Sequence, residues 1–295
     1  MSSQAIHVRR MTGGCGAEVL GVDLAGPIGN SQWEVIRDAF HEHGVVFFRD
    51  QNLTPEQHIA FANRWGPIDI NRFFRSIEGY REIAIVDKGE FDKANIGGDW
   101  HADHSYDEAP AMGSILVARQ LPDEGGDTLF ANMYAAYETL SSGLKQTLAG
   151  LRAIHSAAHV FGPNGLASQN REGKIVHRNV ELAEGEVSHP VVVKHPMSGK
   201  PALYVNPIFT LRFEGWSAEE SRPLLDYLYR RSTRPELTCR FRWAPGSVAF
   251  WDNRAVWHYA ANDYHGHRRL MHRITVRGTK LSPLHSDAAS SELAR

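Results

Sequence analysis

Two histidines and an aspartate stand where they could hold a metal ion together. His101 and Asp103 lie within the string Trp100–His101–Ala102–Asp103–His104, and His258 follows an apolar run far along the chain. In a strand, residues i and i+2 point to the same face, so the sequence predicts that His101 and Asp103 converge while His104 points away. Imidazole and carboxylate ligands suit Fe(II), Mn(II) or Zn(II) rather than a metal that seeks thiolates. A surface ion pair is the alternative interpretation of the His-x-Asp pair.

Two arginines after His258 indicate what could bind beside such a metal. Two histidines and one carboxylate on one face leave three coordination positions open, which is the facial triad of non-heme Fe(II) oxygenases. Arg269 enters the apolar run Leu270–Val276, where its guanidinium could clamp the far carboxylate of a dicarboxylate through two parallel hydrogen bonds. Arg273 follows at an even step and is therefore expected on the same face of the strand. The alternative for Arg273 is a surface position on a basic strand.

Short strands are the elements that must position these residues. Gly44–Phe48 is a wholly apolar run that predicts a strand buried on both faces. Thr54–Trp65 predicts a helix with Thr54 at the N-cap and Pro55 at its first position. Strands outnumber helices and do not alternate with them regularly, which predicts a mainly β fold with flanking helices rather than a doubly wound sheet. Further strands are predicted at Ala17–Leu24, Glu82–Asp87, Ser114–Arg119, Asp127–Phe130, Val191–His195, Ala202–Asn206, Thr238–Trp243, Ser247–Trp251 and His272–Arg277, and further helices at Ser31–His43, Met133–Leu140, Leu144–Leu151 and Ala218–Tyr229.

The chain is expected to form a single domain over residues 1–295, because the candidate site residues span most of its length and no linker is visible. The polar, glycine-rich segment 162–188 has weak periodicity, and a loop of this length in a compact domain predicts a lid or binding loop. The small, polar tail after residue 282 is expected to be frayed.

Composition narrows the classes of function. The 295 residues are 42% hydrophobic and 22% charged, with a formal net charge of −2, so disorder is excluded and no basic excess points to nucleic acid or to a membrane surface. The 2 cysteines are too few for a disulfide framework. No signal peptide and no apolar run of about 18 residues is visible, so we expect a cytoplasmic protein. The 16 histidines favour metal chemistry.

The chain resembles the taurine/2,4-dichlorophenoxyacetate dioxygenase family from about Gly16 to Arg277. The motifs that carry the resemblance are His101–Ala102–Asp103, Gly125–Gly126–Asp127–Thr128, Trp251–Asp252–Asn253–Arg254, His258 and Arg269. It implies a double-stranded β-helix (jelly roll) and a dioxygenase that uses Fe(II), 2-oxoglutarate as cosubstrate and O2, and that releases succinate and CO2. It also implies site roles: iron ligands His101, Asp103 and His258; Thr128 and Arg269 on the distal carboxylate of 2-oxoglutarate; and Arg273 on the anionic group of the substrate.

The expected substrate pocket departs from the taurine-hydroxylating members. Their polar positions correspond here to Asn71, Phe74 and Gly97, and we expect Val160 and Phe161 to add apolar surface. Such a pocket favours an apolar body with an anionic head at Arg273. The strings SIEGY (76–80) and HSAAHVFG (155–162) look nearer the phenoxypropionate-cleaving branch. The predicted substrate is therefore a small organic acid that resembles an aryloxyalkanoate, and its hydroxylated product would fragment where the new hydroxyl adjoins an ether oxygen.

Other functions remain as alternatives. A dioxygenase acting on taurine or another alkylsulfonate would share the reaction and differ in the pocket. A zinc hydrolase built on His101, Asp103 and His104 would leave Thr128 and Arg269 without a purpose, and a jelly-roll binding protein without turnover would keep the same residues. The resemblance also implies a homo-oligomer, a dimer or a tetramer.

Overall fold

The computed structural model describes residues 6–95, 97–165 and 180–284. Its strands are β1 His7–Arg10, β2 Ala17–Leu20, β3 Val45–Phe48, β4 Ile68–Asp69, β5 Ser76–Ile77, β6 Tyr80–Lys88, β7 Gly113–Gln120, β8 Thr128–Asn132, β9 Arg152–His155, β10 Val187–Pro190, β11 Val192–Lys194, β12 Pro201–Leu203, β13 Thr210–Phe213, β14 Thr238–Phe241, β15 Val248–Asp252, β16 Val256–Ala260 and β17 Arg269–Val276. Its α-helices are α1 Asn30–His43, α2 Pro55–Asn63, α3 Met133–Glu138, α4 Ser142–Ala149, α5 Ala158–Phe161 and α6 Ala218–Ser232, and 3₁₀ helices cover Val180–Ala183 and Pro235–Leu237.

Two sheets enclose the main core. The larger sheet has the strand order β1-β2-β3-β15-β7-β17-β6-β5, with β4 beside β17, and the smaller one has the order β14-β8-β16. Aromatic side chains from both sheets meet between them: Phe47 on β3 stacks on Phe241 of β14 at 4.1 Å and contacts Phe130 of β8 at 5.4 Å between ring centroids. This arrangement confirms the predicted mainly β architecture with flanking helices.

Helices α1 and α2 cover the outer face of the larger sheet. Phe40 of α1 stacks on Phe250 of β15 with 4.1 Å between ring centroids, and the ring centroid of Phe61 of α2 lies 6.0 Å from that of Phe48 of β3. All four residues of β3 are fully buried, as the apolar run predicted, because its alternate side chains face the core and the helices. Thr54 caps α2 by accepting a hydrogen bond from the backbone N–H of Gln57, as predicted.

Two boundary expectations change. The segment 162–188 ends earlier than predicted because Val187 and Ser188 already belong to β10; residues 166–179 lie outside the described residues, and its role as a lid stays a prediction. The tail does not fray directly after residue 282, because Pro283 forms a bridge with Val193 and the N–H of Leu284 donates to the carbonyl of Val192. Residues from 285 onward lie outside the description, and the single domain also stays a prediction.

Among the described residues, no helix has both the length and the apolar character needed to cross a membrane.

Candidate active site

His101, Asp103 and His258 come together between the two sheets. Their candidate ligand atoms all lie within 4.8 Å of one another, and all three side chains are buried. Nε2 of His101 is 3.6 Å from Oδ1 of Asp103, and Nε2 of His258 is 3.9 Å from Oδ2 of the same carboxylate. The sequence spacing therefore identified three residues that the fold places around one point.

The backbone brings His101 and Asp103 together in a different way from the one predicted. His101 makes only an isolated bridge with His258 of β16, through N–H to carbonyl contacts of 3.1 and 2.9 Å, and the chain then turns at residues 103–106. The expectation of a regular strand at this position is wrong. His104, at φ 59°, ends the extended backbone, and the bridge ties the two histidines to each other directly.

Hydrogen bonds and charges prepare the three side chains for a divalent cation. Nδ1 of His101 lies 2.8 Å from the carbonyl oxygen of Asp99, to which it can donate a hydrogen bond. Nε2 then carries the lone pair, on the side of the ring that faces Asp103, and can bind a metal ion. Burial and the nearby His101 hold the pKa of His258 well below its usual value, which keeps the imidazole neutral. Burial alone would raise the pKa of Asp103, but the opposing effects, of which the positive charge of Arg273 is the largest, hold that pKa well below its usual value. Two imidazoles and one carboxylate fit Fe(II).

Thr128 and Arg269 lie together at another wall of the same cavity. Oγ1 of Thr128 accepts a hydrogen bond from Nε1 of Trp243 at 2.9 Å and is 3.5 Å from Nη2 of Arg269. The Arg269 side chain is buried and its Nε has no hydrogen-bond partner in the described part of the chain. A Cβ at Gly126, where φ is +70°, would lie 3.1 Å from Cδ of Arg269, so this glycine lets the guanidinium pass. A buried guanidinium with an unpaired N–H donor is suited to bind a carboxylate.

Arg273 shares the face of β17 with Arg269, as the even step predicted, and lies beside Asp103. Its Nη1 is 3.3 and 3.4 Å from the two carboxylate oxygens of Asp103, while its Nε has no partner among the described residues. The guanidinium also lies 4.9 Å from the ring centroid of Phe74. Arg273 therefore stands between the metal-binding candidates and an apolar region.

A small cavity of about 40 Å³ joins these groups. Gly97 is in its wall at φ +77°, and a Cβ there would come within 2.9 Å of Cε1 of His101. The position thus requires glycine for close approach to a candidate ligand, and a contact of Gly97 with the substrate stays a prediction. The lining residues are Val86, Gly97, His101, Leu116, Thr128, Trp251, His258, Ala260, Arg269 and Arg273.

An aromatic cluster adjoins Arg273, and it includes the predicted Phe74, Val160 and Phe161. Phe161 stacks on Phe73 at 4.6 Å, and Tyr106 lies 4.7 Å from Phe209. Phe73 and Tyr106 were not predicted, although Phe73 adjoins Phe74 and Tyr106 follows Asp103 by three residues. We call this set the aromatic cluster: Phe73, Phe74, Tyr106, Val160, Phe161, Ile208 and Phe209.

Asn71 has a structural contact that the sequence did not reveal. Its Oδ1 accepts hydrogen bonds from the backbone N–H groups of Phe73 and Phe74, each at 2.9 Å, which fixes the turn that presents these two rings. Its Nδ2 is buried without a hydrogen-bond partner in the described ranges. The Asn71 side chain therefore positions Phe73 and Phe74 through its oxygen, and its NH2 group remains available to donate to a ligand.

His104 points away from the other two histidines, as predicted. Its Nδ1 lies 2.8 Å from Oδ2 of Asp107 and 3.6 Å from Oδ2 of Asp69. The ligand set of a zinc site on His101, Asp103 and His104 is therefore not assembled, because the third nitrogen belongs to a separate cluster.

Comparisons with known proteins agree with this geometry. The chain matches the family described as "Taurine catabolism dioxygenase TauD, TfdA family" over residues 7–275. An alkylsulfatase from Acinetobacter baylyi is 35% identical over 287 residues, which cover 96% of this chain and 88% of the relative. An (S)-phenoxypropionate/alpha-ketoglutarate-dioxygenase from Sphingobium herbicidovorans is 31% identical over 288 residues, which cover 95% of this chain and 98% of the relative. The crystal structure of a taurine dioxygenase from Burkholderia xenovorans has a TM-score of 0.79 at 35% identity, and the match covers 94% of this chain and 93% of that one.

These matches confirm the predicted jelly roll and the predicted family, whereas the phenoxypropionate branch is one of several to which the chain is similar. They also favour a dioxygenase over the zinc hydrolase and the non-catalytic binding protein. The chain belongs to the TauD/TfdA family and is an Fe(II)- and 2-oxoglutarate-dependent dioxygenase.

Proposed function

We propose that this dioxygenase hydroxylates a small apolar organic anion at a carbon bonded to oxygen, with the charged end of the substrate held by Arg273. The observation that carries the proposal is the position of Arg273. Its guanidinium is buried, its Nε has no partner in the described part of the chain, and it lies between Asp103 and the ring of Phe74. Asp103 contacts only Nη1 of this guanidinium. The buried Nε–H therefore still needs an acceptor, which the anionic group of an acid would supply.

The cofactor roles follow from the same cavity. His101, Asp103 and His258 would hold Fe(II), since they supply two imidazoles and one carboxylate around one point. Thr128 and Arg269 would hold the distal carboxylate of 2-oxoglutarate through a hydroxyl and a guanidinium. Bound iron supplies the O2 chemistry, in which 2-oxoglutarate is converted to succinate and CO2, one oxygen atom enters succinate and the other enters the substrate.

The aromatic cluster supports an apolar body for the substrate. The ring centroids of Phe73 and Phe161 are 4.6 Å apart, and those of Tyr106 and Phe209 are 4.7 Å apart. These packed rings form a mostly apolar surface next to Arg273. None of the seven described side chains that define the aromatic cluster carries a negative charge that could face the amine of taurine. Nδ2 of Asn71 has no hydrogen-bond partner among the described residues, and it would donate to the anionic head or to an ether oxygen of the substrate.

Two kinds of substrate fit this description. The similarity to an alkylsulfatase supports an alkyl sulfate, and the similarity to a phenoxypropionate dioxygenase supports an aryloxyalkanoate, the substrate predicted from the sequence. In both, the reacting carbon carries an oxygen and lies near an anion. Hydroxylation of an alkyl sulfate at that carbon gives an adduct that loses hydrogen sulfate and leaves an aldehyde. Hydroxylation of a 2-aryloxypropionate gives an adduct that loses the phenol and leaves a 2-keto acid.

Succinate release tests the proposal. Protein loaded anaerobically with Fe(II) is mixed with 2-oxoglutarate under air and with octyl sulfate, 2-phenoxypropionate, taurine or no further addition. Octyl sulfate or 2-phenoxypropionate should raise succinate release above the level without substrate, with sulfate or phenol formed in equal amount. Arg273→Ala should abolish this stimulation, whereas Arg277→Ala, which removes an exposed arginine of the same chain segment, should leave it unchanged.

Stimulation by taurine alone would overturn the apolar pocket and leave the dioxygenase chemistry intact. Equal stimulation of wild-type protein and Arg273→Ala by the same acid would overturn the role of Arg273.

A further inference from the structure

A chain of hydrogen bonds runs from the core to the carboxylate of Asp103. Nε1 of Trp251 on β15 donates to Oδ1 of Asn253 at 2.9 Å, and Nδ2 of Asn253 donates to Oγ of Ser114 on β7 at 3.1 Å. Oγ of Ser114 in turn donates to Oδ2 of Asp103 at 2.8 Å. All four side chains are buried, and Trp251 and Ser114 are directly opposite each other in the β15–β7 pairing.

The direction of this chain is fixed by chemistry. An indole N–H can only donate, so the oxygen of the Asn253 amide must face Trp251 and its NH2 group must face Ser114. The serine oxygen then accepts from Asn253, and its single proton is left for Asp103. The donor and acceptor of each hydrogen bond are thus fixed by the bond before it, and the serine hydroxyl donates to the carboxylate. None of Trp251, Asn253 and Ser114 changes its charge with pH.

The Ser114 contact is the shortest hydrogen bond that Asp103 receives in the described part of the chain. The two contacts from Arg273 Nη1 are longer, at 3.3 and 3.4 Å, and are shared between both oxygens, so they do not distinguish Oδ1 from Oδ2. The hydroxyl of Ser114, by contrast, donates to Oδ2 only. Oδ1 keeps its lone pairs on the side of His101, 3.6 Å from Nε2.

Trp251 connects the same chain to a second candidate ligand. Its ring lies 4.6 Å from the ring of His258, between centroids. One residue of β15 therefore packs against the imidazole and also starts the hydrogen bonds that end at the carboxylate.

We propose that Ser114 is a positioning residue for the metal centre, oriented by Asn253 and Trp251, which fixes the carboxylate of Asp103 so that the metal meets one defined oxygen. This inference rests on the proposed role of Asp103 as a ligand. Because outer hydrogen-bond partners of metal ligands change metal affinity by about 10-fold to 100-fold, the loss of the Ser114 hydroxyl should weaken metal binding without removing a ligand.

Titration of the full-length apoprotein with Co(II), followed by its visible absorption, tests the proposal through both the affinity and the ligand field. Ser114→Ala should weaken Co(II) binding by about tenfold or more and shift the absorption bands. Ser221→Ala is the matched control, because Ser221 is a buried serine of α6 that accepts from Phe213 N and donates to the Ser217 carbonyl. It should lower thermal stability to a similar extent and leave Co(II) binding unchanged.

Two further variants separate the possible failures. Asn253→Ala should weaken Co(II) binding in the wild-type background and have no further effect in Ser114→Ala, since it acts through that serine. Additive effects, or a Ser114→Ala affinity and spectrum equal to those of the wild-type protein, would overturn the positioning role. Asp103→Ala should lose high-affinity binding; if it binds Co(II) as tightly as the wild-type protein, the proposed metal site itself is wrong.

Discussion

Replacement of His58 by leucine should remove a defined part of the acid sensitivity of this fold. His58 lies on α2 with no exposed surface, near Arg119 of β7 and His272 of β17. Burial, with a smaller effect of these two groups, lowers the pKa of His58 to about 3. An unfolded histidine titrates near 6.5, so between the two values only the unfolded chain binds the proton, and stability falls as the pH falls. From pH 8 to pH 5 this linkage costs about 2 kcal/mol of unfolding free energy.

Urea unfolding of the metal-free protein at pH 8 and at pH 5 measures this loss. We expect the difference between the two pH values to be smaller by about 2 kcal/mol in His58→Leu than in the wild-type protein. His267→Leu, at an exposed histidine, is the control and should keep the wild-type difference. Comparison of the two pH values within each variant removes the change in packing that leucine brings. A His58→Leu protein that loses as much stability as the wild type on acidification would refute the argument.

Three predictions concern the candidate active site. Gly97→Ala places a Cβ 2.9 Å from the His101 ring at φ +77°, so metal affinity in a Co(II) titration should fall by about tenfold or more while the apoprotein loses only about 1 kcal/mol. Arg269→Met removes a buried cation, so the apoprotein should melt at a higher temperature, and the KM for 2-oxoglutarate should rise by about 100-fold or more. Trp243→Phe deletes the indole donor to Thr128, so that KM should rise by about threefold to tenfold while kcat is retained.

Unchanged metal binding in Gly97→Ala would mean that the ring of His101 can move aside without loss. A lower melting temperature of metal-free Arg269→Met would show that the guanidinium is stabilised by its surroundings rather than held for a ligand. For Trp243→Phe, a fall in kcat with an unchanged KM would place Trp243 in the chemistry instead of in cosubstrate binding.

The sequence predicted the residues whose spacing follows the period of a single element. Arg269 and Arg273 fall on one face of β17 because side chains alternate along a strand, and β3 is buried on both faces because its run is wholly apolar. The grouping of His258 with His101 and Asp103 was predicted from residue types and spacing, and the family resemblance implies the same three ligands. The strand expected at His101 was wrong because one bridge, not a ladder, holds that residue in place.

Contacts between distant segments were not predictable from the pattern. The sequence around Ser114 predicts only that this residue begins a strand. Its contact with Asp103 depends on the turn that follows His101. Tyr106 reads as one aromatic residue after a polar string, and it joins the aromatic cluster only because α5 and the segment at Ile208 fold over it. Both placements are fixed by tertiary packing, which leaves no period in the sequence.

The charges around the cavity lead to a last prediction about the substrate. Among the described residues of this site, Arg269 and Arg273 carry two positive charges and Asp103 carries one negative charge, so a bound Fe(II) would bring the total to +3. The dianion of 2-oxoglutarate and one monoanionic substrate restore neutrality, and an uncompensated buried charge is costly. Alkyl sulfates and aryloxyalkanoates are both monoanions, whereas an alkyl phosphate near pH 8 is a dianion. Octyl phosphate should therefore stimulate succinate release at least about tenfold less than octyl sulfate at that pH, since one unbalanced charge costs more than about 1.4 kcal/mol. Equal stimulation by the two esters would show that the cavity does not select its substrate by charge.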